Sequence, residues 1–254
     1  MTAAKDFGAI ESDYAFFMAH ATEAESDVAE YVRNLAGFSA ERTSVHVLDF
    51  GCGTGEFSRQ LAAALNWPPE RLHWGLVEPV RHQREEAARR LAAFSRHAIE
   101  SFERLPPASE RSFDLVLSNH VLYYVDDLAA TLRGMQESLR PGGRLLLAIA
   151  GWDNPLLQLW KVGFASLGRP VPYHAAEEVE TLLSRQGARF RKSRADYQLR
   201  FPDTVENRLK LLRFLFGPFL DEISPSRLLG ELDRHVRGGH LEVNTHSDHF
   251  AVEG

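Results

Sequence analysis

The sequence predicts an α/β protein built on a doubly wound, mostly parallel sheet of seven strands. Short apolar runs rich in β-branched residues, typical of strands covered on both faces, recur along the chain. Between them lie longer segments in which apolar residues return at three- and four-residue steps, as on one face of a helix. This alternation is typical of parallel sheets with helices on both sides.

The strands are predicted at 45–50 (VHVLDF), 71–78, 97–105, 113–121, 143–151, 189–201 and 241–252. One long amphipathic helix is predicted from Glu11 to Phe38, and further helices are predicted at 59–67, 81–94 and 127–140, the last stopped by Pro141-Gly142-Gly143. Four later helices, at 155–167, 175–186, 204–216 and 224–236, are expected to form lid insertions.

The domain organisation is predicted to be a single domain over residues 1–254, since the chain has no repeat, linker or low-complexity segment. We divide it into a helical cap (1–40), a ligand-binding core (41–151), and a region of lid helices with the last two strands (152–254). A chain of 254 residues is long enough to bury one large core.

Composition narrows the function classes. A net charge of −6 argues against nucleic acid as a partner, because affinity for phosphate backbones comes from Lys and Arg. No apolar run approaches the roughly 20 residues of a membrane span, and the first residues do not resemble a secretory signal, so we expect no membrane partner and a cytoplasmic location. We expect a monomer or weak dimer acting on a small molecule.

The segment VLDFGCGTGEF, residues 47–57, carries the strongest chemical signal. Gly51, Gly53 and Gly55 let the backbone turn sharply and approach a ligand beside unpaired N–H groups at a helix start. Their spacing is not G-x-G-x-x-G, and Asp49 is a poor neighbour for a pyrophosphate, which disfavours a nicotinamide-dependent oxidoreductase. The segment resembles the class I S-adenosylmethionine-dependent methyltransferases, which implies their cofactor and Rossmann-like fold. A tight turn without a ligand is the structural alternative.

Further cofactor candidates follow the next three strands. Glu78 ends the second strand, where a carboxylate can accept hydrogen bonds from both hydroxyls of a ribose, although a solvated loop acid is the alternative. Ser101 and Phe102 end the third strand, and Ser101 is a candidate partner of the adenine amino group. Asn119 ends the fourth strand, at the sheet edge where open α/β folds bind ligands.

Several longer segments resemble the histamine N-methyltransferase family: HVLYYVDDLAATL, GWDNPLLQLWK, the last strand, and ATEAE around Glu23. The resemblance implies methylation of a small amine or imidazole. It places Gln83, together with Gly51, Glu78, Ser101 and Asn119, at cofactor positions. It places Glu23 where the family holds the substrate amine, His120 where the family has glutamine, and Asn244 or Thr245 where it has asparagine.

Methyl transfer to nitrogen needs an aligned lone pair, so positioning matters more than acid–base chemistry. His120 is a candidate proton acceptor because its ordinary pKa of ~6.5 leaves a neutral form at pH 7; a structural histidine is the alternative. Tyr123, Tyr124 and Trp160 are candidates to wall the acceptor pocket, where ring faces favour a cation. Glu23, His120 and Tyr123 form the predicted catalytic set.

A histidine-rich tail, His235, His240, His246 and His249, suggests a metal, but a transition-metal site needs three or four convergent ligands and we expect none. The sequence therefore predicts an S-adenosylmethionine-dependent N-methyltransferase of a small amine or imidazole. Two alternatives stay open. One is an O-methyltransferase of a small acid or phenol with His120 as base and Glu23 idle, and the other is a cofactor-binding homologue without catalysis.

Overall fold

The computed structural model describes residues 10–107 and 112–254, and the first nine residues of the predicted cap lie outside them. Its strands are β1 (Val45–Phe50), β2 (Leu72–Val77), β3 (Glu100–Phe102), β4 (Phe113–Asn119), β5 (Leu139–Ile149), β6 (Phe190–Pro202), β7 (Val236–Arg237) and β8 (His240–Glu253). They form one eight-stranded sheet in the order β3-β2-β1-β4-β5-β8-β6, with β7 paired to β8.

The five strands from β3 to β5 in this order are parallel, and β8 runs antiparallel between β5 and β6. The doubly wound, mostly parallel sheet predicted from the sequence is therefore confirmed. The additional strand is β7, a two-residue segment at the end of the predicted helix 224–236, which stops at Glu231. A strand this short carries no periodicity that a sequence pattern can show.

The helices are α1 (Glu11–His20), α2 (Glu23–Asn34), α3 (Glu56–Leu65), α4 (Arg81–Leu91), α5 (Leu128–Glu137), α6 (Pro155–Ser166), α7 (Ala176–Arg185), α8 (Val205–Phe216) and α9 (Pro225–Glu231). Asp127 caps α5 by accepting the Ala130 N–H at 2.8 Å. Asn154 caps α6, whose first residue is a proline. Among the described residues, no helix combines the length and apolar character needed to cross a membrane.

The predicted continuous helix from Glu11 to Phe38 is wrong: it breaks at Ala21 and Thr22, and α2 ends at Asn34. Ala21 forms a β-bridge to Leu199 on the edge strand β6. The Thr22 N–H donates to the Gln198 carbonyl at 2.9 Å, and Thr22 Oγ1 accepts the Gln198 N–H at 3.0 Å. Pairing with an open strand edge thus replaces the helical hydrogen bonds at this junction.

The predicted end of the helix before Pro141 also needs correction. Helix α5 ends at Glu137, and Pro141-Gly142-Gly143 lies within β5, where the ladder to β4 changes register between Phe113 and Leu115. Gly143 lies so close to its surroundings that a Cβ there would be 2.8 Å from the Arg140 carbonyl oxygen. The glycine pair therefore forms an irregularity in a strand rather than a helix stop.

Two apolar clusters pack on the sheet. One joins residues of α2, α3 and α4, including Tyr31, Leu61 and Leu91, to Leu115 and Leu117 of β4. The other joins α5 to α9 with Leu145 and Leu147 of β5 and with the β6–β8 pair. Helices on both faces leave the carboxyl ends of the parallel strands as the open edge where ligands bind in such sheets.

Candidate cofactor and acceptor site

The glycine turn after β1 contains three glycines with positive φ but with different surroundings. At Gly51 (φ +76°) a Cβ would lie 2.4 Å from the Val121 side chain, and at Gly55 (φ +77°) it would lie 2.7 Å from the Ala87 Cα of α4. At Gly53 (φ +51°) a Cβ would meet no atom within 4 Å. Packing therefore requires glycine at Gly51 and Gly55, whereas the space beside Gly53 is open. We call the turn formed by these three glycines, with this open space, the glycine cradle.

Two acidic residues form hydrogen bonds at this turn. Glu78, just after β2, accepts the Gly53 N–H at 3.2 Å and the Val80 N–H at 2.9 Å. Asp49 is buried and accepts the Ser58 hydroxyl at 2.6 Å. Burial, with the nearby Glu78 charge, raises the pKa of Asp49 to about 7 against the opposing hydrogen bond from Ser58. Asp49 is thus tied to the start of α3.

The remaining predicted cofactor residues lie along the same edge. Asn119 ends β4, and its Oδ1 is buried with no hydrogen-bond partner among the described residues. Ser101 is exposed on β3, and the carbonyl of Phe102 accepts the Glu78 N–H at 3.1 Å. Gln83 is half-buried in the first turn of α4. An open cradle beside an orphaned amide oxygen leaves room and a polar partner for a ligand.

A second group of polar side chains meets just beyond β4. His120 follows this strand with φ +55°, a conformation that non-glycine residues rarely adopt, and its N–H donates to the Ala148 carbonyl at 2.9 Å. Its Nε2 lies 2.9 Å from Asp27 Oδ2 and 3.7 Å from Glu23 Oε1. Glu23 and Asp27 share one face of α2 because they are one turn apart.

Two further residues complete the polar network around His120. Its Nδ1 lies 3.0 Å from the Tyr123 hydroxyl, which accepts the Ala150 N–H at 2.6 Å. The other oxygen of Asp27, Oδ1, lies 2.8 Å from His249 Nε2. We call Glu23, Asp27, His120, Tyr123 and His249 the acceptor cluster. Asp27 has no exposed side-chain surface, whereas the Glu23 side chain keeps 13% exposure.

Charge pairing dominates the electrostatics of the cluster. Burial opposes the charged form of His120, but the Glu23 and Asp27 carboxylates outweigh it and raise the pKa of His120 to about 9. Burial also opposes the charge of Asp27, but the His120 charge and the two imidazole hydrogen bonds hold the pKa of Asp27 well below its usual range. Burial raises the pKa of Glu23, because the attraction of His120 only partly offsets it.

The structure places the predicted substrate residues differently from one another. Tyr124 packs edge-on against Tyr173, with ring centroids 5.3 Å apart. Trp160 is fully buried behind Tyr123, and its indole N–H donates to the Leu215 carbonyl at 2.8 Å. Thr245 is buried opposite Tyr197 in the β6–β8 ladder, with its hydroxyl unpartnered among the described residues.

Asn244 does not join the acceptor cluster. Its neighbours Thr245 and the cluster member His249 share one face of β8, so strand alternation directs Asn244 to the other face. There it is exposed and accepts the Gln198 side-chain N–H at 2.9 Å. It lines an open cleft of ≈ 520 Å³ that also includes Asp196 and His246. Of the two candidates on this strand, the structure brings only Thr245 to the side of the cluster.

Asp27 and His249 were not recognised from the sequence as site residues. The spacing of Asp27 from Glu23 by one helical turn was the available signal. The sequence places His249 in a histidine-rich tail, but the histidines of this tail have different partners in the structure: His246 contacts Asp153 at 3.4 Å, and His249 contacts Asp27. Atoms of Glu23, Asp27 and His120 that could bind a metal ion lie within 4.8 Å of one another. However, both carboxylate oxygens of Asp27 already form hydrogen bonds to imidazoles.

An open α/β sheet with a glycine cradle, and with an acid after the next strand, defines a protein that binds a nucleoside-containing ligand at its carboxyl edge. Residues 19–192 match the family described as "Methyltransferase domain", and the chain belongs to this family. It is a class I S-adenosylmethionine-dependent methyltransferase, so the predicted class and cofactor are confirmed.

Known proteins show how far the similarity extends. Histamine N-methyltransferase A of Xenopus laevis is 28% identical over 176 residues, which cover 61% of this chain and 59% of the relative. The chain thus spans about three fifths of the length of such curated relatives. A malonyl-[acyl-carrier protein] O-methyltransferase of Xylella fastidiosa is 28% identical over 131 residues, covering 51% of this chain and 43% of the relative.

Solved structures support the fold. An S-adenosylmethionine-dependent methyltransferase of Geobacter sulfurreducens, in complex with S-adenosyl-L-homocysteine, superposes with a TM-score of 0.51 at 15% identity. The superposition covers 88% of this chain and 90% of that chain. At this identity the similarity shows the fold alone.

Proposed function

We propose that this methyltransferase acts on a nitrogen of a small amine or imidazole. The observation that carries the proposal is the acidic pair Glu23 and Asp27 on one face of α2, facing the imidazole of His120. With Asp27 ionised and His120 protonated, their charges cancel, and an ionised Glu23 leaves these three groups with a net charge of −1. A cationic acceptor favours that ionised form, whereas an anionic acceptor opposes it.

The cofactor side of the proposal assigns roles to residues at the cradle. S-adenosylmethionine supplies an activated methyl group when bound. The open space at Gly53 and the orphaned Asn119 Oδ1 fit a ligand at this edge. We assign to Glu78 the ribose hydroxyls, to Gly53 the close approach of the backbone, and to Asn119 a hydrogen bond from a ligand donor. Gln83, Ser101 and Phe102 are assigned to the surrounding rim.

On the acceptor side, Glu23 is the carboxylate of the pair that keeps exposed surface, and we assign to it the ammonium or imidazole N–H of the acceptor. To Tyr123 and Tyr124 we assign the walls of the acceptor site, where an aromatic ring face favours a cation by ~0.5–2 kcal/mol. Helix α1 covers the site and is fixed to α8: Asp13 pairs with Arg213 at 2.9 and 3.0 Å, and Phe17 stacks on Phe214 at 4.5 Å. Excluding water strengthens each polar contact beneath.

A second candidate is O-methylation of a small acid or phenol. The observation in its favour is the protonated His120, which attracts an anion, and one of the similar proteins is an O-methyltransferase. Glu23 and Asp27 oppose it, because both carboxylates lie within 4 Å of the His120 Nε2 and already neutralise its charge.

A methyl-transfer screen distinguishes these candidates. The purified chain is incubated with S-adenosylmethionine and with matched sets of imidazoles, primary amines, small carboxylic acids and phenols, and the methylated product is identified by mass spectrometry. We expect products from amines or imidazoles. Turnover confined to acids or phenols would overturn the proposal in favour of O-methylation, and cofactor binding without turnover of any set would favour a homologue that has lost catalysis.

Glu23→Gln tests the role of the carboxylate directly. A hydrogen bond to a charged group contributes about 1.5–3 kcal/mol and a neutral one about 0.5–1.5 kcal/mol, so the exchange should cost about 1–1.5 kcal/mol and raise KM for the amine acceptor roughly 5- to 10-fold. Affinity for S-adenosylhomocysteine, measured by calorimetry, should not change. Glu25→Gln, an exposed change on the same helix turn, is the matched control. An unchanged KM in Glu23→Gln would remove Glu23 from the acceptor site.

A further inference from the structure

We propose that Asp27, anchored by His249, is a positioning residue that keeps a proton on both ring nitrogens of His120 and so holds a fixed cation beside Glu23. The inference deepens the proposed function, on which its catalytic meaning rests. The charge and orientation of His120 can be measured without any acceptor.

The hydrogen bonds around His120 carry the argument. An ionised Asp27 can only accept, so the 2.9 Å contact to Oδ2 requires a hydrogen on His120 Nε2, and the 2.8 Å contact to Oδ1 requires one on His249 Nε2. On the other side of the ring, Nδ1 faces the Tyr123 oxygen at 3.0 Å. The Tyr123 hydroxyl can accept a hydrogen from Nδ1 or donate its own, so this contact fits either state of Nδ1. The Glu23 and Asp27 carboxylates, both within 4 Å of Nε2, are what favour the doubly protonated, positively charged ring.

The position of Asp27 explains its contribution to this effect beside Glu23. It has no solvent-exposed side-chain surface, so its charge is little screened, and two imidazoles fix both oxygens. His249 itself is nearly fully buried and packs edge-on against Tyr31, with ring centroids 5.4 Å apart. Asp27 thus has one orientation available, and that orientation points Oδ2 at His120.

Groups from several elements face the imidazole or its two acidic neighbours. Glu23 and Asp27 of α2, Tyr123 after β4 and Ser247 of β8 lie next to the ring, and His249 of β8 contacts Asp27. Tyr197 of β6 and Tyr14 of α1 interact with Glu23. Among these, Glu23 and Asp27 are the acids next to the ring, and Asp27 is the one within hydrogen-bond distance. Removing the Asp27 charge should therefore release the His120 proton at lower pH.

The consequence for the acceptor site follows from charge coupling. The positive charge of His120 attracts the negative charge of Glu23 and so partly offsets the cost of burying that carboxylate. Loss of the imidazolium would raise the pKa of Glu23 further, so this carboxylate would ionise only at higher pH. Asp27 thereby sets the pH range in which Glu23 is available to a cationic acceptor.

The test is a histidine titration of the full chain labelled with ¹⁵N-histidine, followed by long-range ¹H–¹⁵N spectra from about pH 5 to about pH 10. Variants His120→Gln and His249→Gln assign the signals. In the unmodified chain the His120 midpoint is expected at about 9. In Asp27→Asn we expect a fall of at least about one pH unit. An unchanged midpoint in a folded Asp27→Asn chain, checked by circular dichroism, overturns the proposal.

A second pair of variants keeps the test decisive if Asp27→Asn fails to fold. His249→Phe retains a ring against Tyr31 but removes the donor to Asp27, whereas His249→Gln supplies a side-chain N–H. We expect the slowly exchanging Nε2–H signal of His120 to be lost in His249→Phe and kept in His249→Gln. Retention of the signal in His249→Phe contradicts the anchoring role. These readouts need no acceptor, so they fail independently of the methyl-transfer screen.

Discussion

Gly53→Ala is the sharpest test of the cofactor cradle, because the three glycines of the turn differ in what surrounds them. A methyl group at Gly51 would overlap Val121, and one at Gly55 would overlap Ala87, so both changes disturb the protein itself. At Gly53 the added Cβ meets no atom within 4 Å. The variant should therefore fold, with its new methyl group projecting into the open space assigned to the cofactor.

Gly53→Ala is expected to change two quantities that can be measured separately, the free energy of unfolding and the affinity for the cofactor. The φ of +51° at Gly53 costs an alanine roughly 1–2 kcal/mol of folding free energy, since the left-handed region is strained for residues with a Cβ. Gly168→Ala provides the same kind of strain, φ +64° with no atom within 4 Å, far from the turn. Both variants should lose similar stability, while only Gly53→Ala should weaken cofactor binding.

The assay pairs urea unfolding with calorimetric titration by S-adenosylhomocysteine. We expect Gly53→Ala to bind at least tenfold more weakly, about 1.4 kcal/mol, and Gly168→Ala to bind as the unmodified chain does. If a folded Gly53→Ala chain binds with full affinity, the open space at Gly53 is not where the ligand approaches the backbone. An equal loss of affinity in Gly168→Ala would instead attribute the effect to strain.

Two further changes test the turn and a helix start. Glu78→Ala should weaken S-adenosylhomocysteine binding by about 1.5–3 kcal/mol in the same calorimetric assay, because charge-assisted hydrogen bonds are lost. The control Glu85→Ala, on the exposed surface of α4, should leave the affinity unchanged. Equal affinities in the two variants would exclude the assignment of Glu78 to the ribose. Asp127→Ala should cost about 1 kcal/mol in urea unfolding, because it removes the cap bond to Ala130, and an unchanged midpoint would show that the cap contributes nothing.

The parallel part of the sheet was predictable because its central strands carry short, nearly continuous apolar runs that helical segments do not show, as in VHVLDF at 45–50. Predictions failed where tertiary contacts override local pattern. The helix predicted from the apolar face after Ala24 was extended back to Glu11 across Ala21 and Thr22, yet the backbone there pairs with β6. Pro141-Gly142-Gly143 is a good helix stop by composition, but the chain had already entered β5. Neither the pairing of Ala21 and Thr22 with β6 nor the start of β5 before Pro141 can be seen in the local sequence.

The site was predictable where position relative to a strand end determines it. Gly51, Gly53, Gly55, Glu78 and Asn119 all follow from the order of strands, and the structure gathers them at one edge. Asp27 and His249 required knowledge of how α2 lies against β8, which residue spacing does not contain. The roles of the predicted catalytic and binding residues stay predictions until the variants above are measured.

The bond between Asp27 and His249 joins positions 222 residues apart. The cofactor turn, by contrast, is built from segments between Val45 and Asn119, all of them local in sequence. During synthesis from the amino terminus, the elements of the cofactor edge emerge long before β8 can insert between β5 and β6. Closing so long a loop is slow relative to local contacts. The contact of His249 with Asp27 therefore forms only when the final strand docks, so we expect the proposed acceptor cluster to be completed last in folding.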